Sequence, residues 1–391
     1  MQVSQKWLNM EKKMNRPNIQ PKVRLAVWSA AGGRCSIRGC NKPLWYNGLT
    51  LMSGNFSDMA HIIGAKEDGP RGGPDSDKLA TDARNIIIVC KDCHKEIDDN
   101  PEIYTVDILL EMKKEHEYRI DRVTGITVDQ KTEVLIFKSK IAGRPVSVDI
   151  REVEGTIIRS GYYPASKDIL MIDRTQEDGD GTENYWDYNR GKIEQEFKRL
   201  FDLYGQEMGR LSVFALGSMP FLFLLGKLIT DTRVNHVEVF QRSRETQSWD
   251  WPVDIDHAML PGYRIERPQT VNSHRFPVLL LALSDHIQPD KYEGLWPNET
   301  DVYTITLEGA VPNRDYLKHP SQVNQFVKLF HQLLNELQAA YGAKTMLHLL
   351  PAVPLSIAVR SGMAILPKKE MPILIYDMNW EFGGFRPIFL L

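Results

Sequence analysis

Residues 84–95 read Arg84-Asn85-Ile86-Ile87-Ile88-Val89-Cys90-Lys91-Asp92-Cys93-His94-Lys95. Four apolar β-branched residues run into a C-x2-C pair, and a histidine follows the second cysteine at once. That order fits a short buried strand ending on a thiol-bearing turn. The chain holds only two other cysteines, Cys35 and Cys40, spaced C-x4-C. Two close pairs let two thiolates converge from each side, as a tetrahedral four-cysteine zinc site requires. The other pairing open to them is two disulfides. A chain this long, whose first residues lack the apolar core of a secretion signal, can bury its own core without them.

The pattern extends outward from this stretch. Residues 1–20 are polar and read as an arm. Pro21 to Ala31 has helical periodicity, with Val23, Val27 and Ala30 on one face and Gly32-Gly33 to end it. Asn55 to Gly64 carries Phe56, Met59, Ile62 and Ile63 and fits a strand. Gly69-Pro70-Arg71-Gly72-Gly73-Pro74 is a loop. A helix opens at His94, and Thr105 to Arg122 predicts a second, charged one. His116 falls on that helix as a solvated residue, and Arg71 sits on its loop with or without a phosphate to touch. Two strands and a helix around the cysteines make an α+β domain over residues 1–122. The polar stretch 123–135 reads as a linker, and 136–391 as an α/β domain with an exposed loop at Asp178-Gly179-Asp180-Gly181.

Bulk composition agrees with a globular protein: 391 residues, 42% hydrophobic and 25% charged, imply two or three domains. The net charge of -3 excludes a strongly basic nucleic-acid coat. The balance shifts from 19 Lys/Arg against 17 Asp/Glu in residues 1–122 to 29 against 34 beyond. The apolar run Met219 to Gly226 stops at Lys227, too short to span a bilayer, so no membrane role and a cytoplasmic setting are expected.

The second domain repeats itself. Leu211 to Gly226 and Lys344 to Gly362 each give an apolar strand, a turn, a proline opening a helix, and a glycine in or after it. Helices precede both (Ile193 to Gly205, Gln322 to Gly342) and strands follow both (His236 to Gln241, Met371 to Asp377). With Pro220 and Pro354 134 residues apart, two Rossmann-like halves follow.

His61 in Ala60-His61-Ile62, Asn85, and His94 after Cys93 stand in the order histidine, asparagine, histidine, interleaved with the cysteine pairs. With Gly69-Pro70-Arg71, this resembles the HNH family of ββα-metal nucleases. The resemblance implies His61 as general base, Asn85 as its orienter or the holder of its loop, and His94 as ligand of a catalytic Mg2+ or Mn2+. Zn2+ on Cys35, Cys40, Cys90 and Cys93 would be structural. Many members carry an acidic ligand directly before the first histidine, where this chain has Ala60. Asp58, two residues earlier on the same strand face, is the substitute, or else a solvated carboxylate.

Phe214 to Pro220, Val239 to Arg242, Ser248 to Trp251, Pro354 to Gly362 and Ile375 to Asp377 resemble the SAVED domain, a cyclic-oligonucleotide sensor built of two fused CARF-like Rossmann halves. Gly217, Pro220 and Pro354 lie at strand-to-helix turns, where helix N-termini attract phosphate. Gln241 and Arg242 are further ligand candidates, and Arg244 a second cation. Trp249 and Trp251, if on a strand, and Tyr376 are base-stacking or core residues. An HNH module joined to a SAVED domain is similar to the nuclease effector of CBASS, an antiphage system. That implies a cyclic di- or trinucleotide activator, assembly into a dimer or tetramer, and double-stranded DNA as substrate. The alternatives are an HNH restriction-type nuclease whose second domain recognises modified DNA, and a non-catalytic zinc adaptor.

Overall fold

The computed structural model describes residues 18–176, 183–204, 208–230, 234–296, 299–366, 371–379 and 383–391. Most of the expected N-terminal arm, and the loop at Asp178–Gly181, lie outside them. The chain divides into two compact units at Thr127/Val128.

In the first unit, helix α1 (Pro21–Ala30) begins on a proline, whose fixed φ suits a first helical turn. It stops where Gly32 and Gly33 both turn left-handed (φ 59° and 63°), a conformation that costs glycine nothing. Strands β1 (Ser57–His61) and β2 (Ile86–Cys90) pair antiparallel, setting His61 against Ile86 and Ser57 against Cys90. All five residues of β2 are buried. Helix α2 (Lys91–Asp99) starts directly from Cys90, and α3 (Val106–Thr124) is N-capped by Thr105. The expected linker at 123–135 is corrected. Helix α3 runs to Thr124, and strand β3 (Lys131–Ser139) already begins at Lys131. The first residues of β3 include the exposed Lys131 and half-buried Glu133, so they carry little apolar signal.

The second unit is two parallel-cored sheets. One contains β3, β4 (Tyr163–Pro164), β5 (Leu170–Arg174), β6 (Arg210–Leu216) and β7 (His236–Phe240). The other runs β13 (Gly384–Leu390), β12 (Ile373–Asn379), β11 (Leu347–Ala352), β9 (Phe276–Ala282), β10 (Thr300–Glu308) and β8 (Gly262–Glu266). The orders β5-β3-β6-β7 and β10-β9-β11-β12 are the same doubly wound pattern, parallel throughout. Each half repeats helix, strand, helix, strand. The first has α5 (Glu183–Tyr204), β6, α6 (Met219–Thr230) and β7. The second has α7 (Pro320–Tyr341), β11, α8 (Leu355–Ala364) and β12. The remaining helix, α4 (Ile150–Arg159), belongs to the first half alone.

Helices α6 and α8 cross with backbones in contact. A side chain on Gly226 would collide with the Val359 carbonyl, and one on Gly362 with that of Phe223. Both pairs of counterparts, 226 with 362 and 223 with 359, lie 136 residues apart, so the contact is reciprocal about a local two-fold. Only glycine allows such an approach.

Candidate functional site

In the first unit a cleft of about 780 Å3 is lined by Asp58, His61, Lys66, Arg71, His94 and Asp98, among others. Pairing of β1 with β2, and the start of α2 at the end of β2, bring these residues together from distant points of the sequence.

His61 closes β1, half-buried, and its Nε2 lies 2.9 Å from the Ala80 carbonyl oxygen. A carbonyl only accepts, so Nε2 carries the hydrogen, and in the neutral ring Nδ1 then keeps its lone pair. The Asn85 side chain hydrogen-bonds to the main chain of other residues and not to His61. Its Oδ1 accepts from the Ile63 amide (2.7 Å), and its Nδ2 donates to the carbonyls of Ile63 (2.9 Å) and Leu79 (3.2 Å). Of its two expected roles, it takes that of holding the chain after His61.

His94 sits between two carboxylates, with Asp58 Oδ2 3.1 Å from Nδ1 and Asp98 Oδ2 3.4 Å from Nε2. Two ligands at right angles on an octahedral ion with bonds near 2.1 Å stand about 3.0 Å apart. The spacing of His94 Nδ1 and Asp58 Oδ2 fits that pair, and one nitrogen with one hard oxygen suits Mg2+ or Mn2+. Asp98 lies at the opposite ring edge, where a carboxylate orients a metal-binding imidazole. Ala60, where an acidic ligand was expected, is fully buried and belongs to the core.

Arg71 is a clamp. Its side chain is 3% exposed. It donates to the carbonyls of Ile62 (3.0 Å), Ile97 (2.5 Å) and His61 (3.4 Å), and to Asp98 Oδ1 (2.8 Å). One guanidinium thus ties the end of β1 to α2. Its own backbone is left-handed (φ 53°), a strain of about 1 kcal/mol that these bonds hold. Asp98 escaped the sequence reading, although His94 and Asp98 at i and i+4 share a helix face. His116 is corrected from a solvated residue to a buried one, 3.0 Å from the Ala31 carbonyl.

The four cysteine sulfurs lie within 4.8 Å of one another, with Cys40 and Cys90 at 3.9 Å. Tetrahedral zinc with bonds near 2.3 Å spaces its sulfurs about 3.8 Å apart. All four thiols are free. Burial pushes the Cys35 thiol up to about 12 and also raises Cys93, whereas hydrogen bonds from the neighbouring cysteines outweigh burial at Cys90 and lower it. Four sulfur donors at this spacing fit zinc.

In the second unit, several ligand candidates turn out to be structural. Trp249 is corrected to core: it is fully buried, edge-on to Phe214 at 5.2 Å, and lies on a loop rather than a strand. Trp251, on the same loop, packs against the main core. Tyr376 is corrected likewise: it is 3% exposed, and its hydroxyl meets His348 Nδ1 at 2.9 Å. Arg242 braces its loop, its guanidinium donating to the carbonyls of Gln247 and Ser147. Arg244 is exposed. Gly217 and Pro220 are buried at the turn into α6, and Pro354 caps α8. Gln241, at the end of β7, reaches across to the other half, where its Oε1 accepts from the amide (3.0 Å) and hydroxyl (2.8 Å) of Ser356.

A family model described as "SMODS-associated and fused to various effectors sensor domain" (SAVED) matches residues 193–391. Among solved structures, the Acinetobacter baumannii Cap4 SAVED/CARF-domain containing receptor with the cyclic trinucleotide 2'3'3'-cAAA is similar at 15% identity and TM-score 0.42, over 81% of this chain and 66% of that one. The same receptor with 3'3'3'-cAAA gives 14% and 0.41, over 81% and 66%. The Moraxella osloensis receptor gives 14% and 0.37, over 81% and 65%. The chain thus spans about two thirds of the length of these receptors. No curated protein sequence matches it. No helix among the described residues is long and apolar enough to cross a membrane.

Proposed function

This chain belongs to the SAVED sensor family, and from that premise we propose that its second unit binds a cyclic oligonucleotide and thereby switches on a DNA endonuclease in its first. The observation that carries the nuclease reading is the cleft joining His61, His94, Asp58 and Asp98 beside a zinc-fitting cysteine quartet.

Hydrolysis of a phosphodiester needs an activated water, a Lewis acid at the phosphate, and compensation of the developing charge. His61 meets the first need. Nε2–H is anchored on Ala80, which leaves Nδ1 free to take the proton of the attacking water. Asp58 and His94 would hold Mg2+ or Mn2+, which when bound supplies Lewis acidity at the scissile phosphate. Asp98, gripped by Arg71, fixes the tilt of the His94 ring. Arg24 and Lys66 line the same cleft and offer positive charge to the DNA backbone. The four cysteines would hold Zn2+ as a structural brace under α2.

One HNH site cuts one strand. Double-strand cleavage therefore calls for two copies, and assembly of the chain into a dimer or tetramer would supply both cutting and restraint. The activator, a cyclic di- or trinucleotide, must bind the assembled state more tightly than the resting one. Such a protein would serve antiphage defence as the effector of a nucleotide signal.

The test incubates the full chain with plasmid DNA, Mg2+ or Mn2+, and a panel of cyclic di- and trinucleotides. Degradation that needs both a metal and one nucleotide, and fails in His61→Ala, is the expected result. Cutting without any nucleotide, dependent on modification of the DNA, would replace this reading with the restriction-type one. Absence of cutting under every combination would leave a zinc adaptor.

A further inference from the structure

Helix α8 is almost wholly interior. Seven of its ten residues are buried, and those that are not are Leu355, Arg360 and Met363. Arg360 is its one charged residue, and it is half-buried. Five N–H donors are carried by that guanidinium, yet among the described residues it has no hydrogen-bond or ion-pair partner. Burial alone lowers its pKa. Other partly buried arginines of this unit are matched: Arg174 with Glu196, Arg210 with Glu238, and Arg275 with Asp301. No nitrogen of Arg360 is among the fully buried unpartnered atoms, so the guanidinium stays open to solvent, and to an anion, on an otherwise interior helix.

The duplicated half shows what stands here without that charge. The reciprocal glycine contacts set an offset of 136 residues, which makes Leu224 of α6 the counterpart of Arg360. Leu224 is 3% exposed and part of the core. One twin keeps leucine, while the other carries an arginine that no described residue pairs.

The place also matters. Arg360 lies one turn after Ser356 on the same helix face, and side chains of a helix tilt toward its N-terminus. At that end, Gln241 from the tip of β7 grips Ser356, so the start of α8 is where the two halves meet beyond the carboxyl ends of parallel strands. Open α/β sheets bind ligands outside those strand ends. At the equivalent start of α6, Ser218 has its amide held by Ser139 Oγ (3.0 Å), and its own hydroxyl is buried without a partner. The positive end of the α8 dipole adds to the pull on an anion.

We infer that Arg360 is an anion anchor, pairing through its planar guanidinium with a phosphodiester group of the nucleotide bound at the start of α8. The phosphodiester identity rests on the cyclic-oligonucleotide reading above, whereas the anion site does not. A guanidinium matches two phosphate oxygens at once, which a lysine cannot reproduce.

The test compares wild type, Arg360→Met and Arg360→Lys, each as the full chain, in two assays. The first is thermal unfolding with and without millimolar pyrophosphate. The second is equilibrium binding of labelled cyclic di- and trinucleotides. Pyrophosphate is expected to raise the wild-type midpoint by about 2 °C or more and to leave Arg360→Met unmoved. Without anion, Arg360→Met is expected to be at least as stable as wild type, which shows that it folds. Whichever nucleotide wild type binds should bind Arg360→Met about thirtyfold more weakly or worse, with Arg360→Lys in between. If Arg360→Met answers pyrophosphate and nucleotide as wild type does, or if wild type answers neither, the anchor is refuted. If pyrophosphate stabilises wild type but not Arg360→Met, while no nucleotide binds, the anion site stands and the cyclic-oligonucleotide reading falls.

Discussion

The two units place their polar chemistry differently. In the first, residues of specific chemical type gather in one cleft and one sulfur cluster: Asp58, His61, His94 and Asp98 in the cleft, the cysteines in the cluster. In the second, the conspicuous polar and aromatic residues mostly serve the fold. Trp249 and Tyr376 are interior, Arg242 braces a loop, and Gln241 joins the halves. The lesson concerns size. A small unit has little apolar core to spare and holds its site with specific bonds. A large duplicated unit holds itself with two sheets, and the feature that stands out in it is a charge that the core leaves unmatched.

The contrast is tested most sharply at the proposed zinc site. Cys93→Ser, or a strong chelator, should unfold residues 18–127, because a structural zinc can supply on the order of 10 kcal/mol of folding free energy. The second unit should keep its own transition. Metal analysis should give one zinc per wild-type chain and none in the variant. A first unit that stays folded without zinc would show that its core suffices. A smaller but specific loss is expected for His61→Ala: DNA cleavage down about a thousandfold, with zinc content and melting unchanged. A parallel drop in melting temperature would make His61 structural instead.

Arg71→Ala tests whether the first unit's precision comes from bonds. The substitution leaves three carbonyls and Asp98 without their buried donor. Cleavage should fall about 10- to 100-fold and the Mg2+ requirement should rise, as for lost partners of metal-binding histidines. In the second unit the equivalent tight point is the helix crossing. Gly226→Ala or Gly362→Ala forces a methyl group onto a backbone carbonyl and should destabilise that unit by about 3 kcal/mol. A neutral result, read by chemical denaturation, would mean that the helices can separate.

What the sequence made legible follows the same division. The cysteine pairs and the order His61, Asn85, His94 could be read because each residue type has few other uses at such spacing. The duplication was readable because a proline lies near the start, and a glycine within, each of α6 and α8, although the prolines stand two residues out of the 136-residue register. Asp98 was within reach, since i and i+4 on a helix adjoin, but an aspartate in a charged helix looks like surface. Arg71 was not, because all its acceptors are main-chain oxygens or a carboxylate brought near by folding. For Trp249 the choice between stacking and core turned on a strand, since i and i+2 share a face only there, and Ser248 to Trp251 form none. Arg360 was passed over because its meaning lies in the partners it lacks.

The smallest expected effect again compares the units, through one buried histidine in each. Burial lowers the pKa of both His116 and His348 below the ordinary value near 6.5. Below about pH 6.5 the unfolded chain therefore takes up protons that the folded one refuses. The stability conferred by each neutral ring is complete above that pH and is lost as the pH falls through the interval down to the folded pKa. The loss is at most about 1.4 kcal/mol per pH unit for each histidine. His348→Asn keeps an acceptor for Tyr376 and Trp296 but does not titrate. It should flatten the fall in melting temperature between pH 7.5 and 5.5 for the second unit alone, by about 2–4 °C per pH unit. The first unit, governed by His116 bonded to the Ala31 carbonyl, should keep its slope. Equal flattening in both units would mean that they unfold as one, and an unchanged slope in the second would mean that His348 takes up its proton while folded.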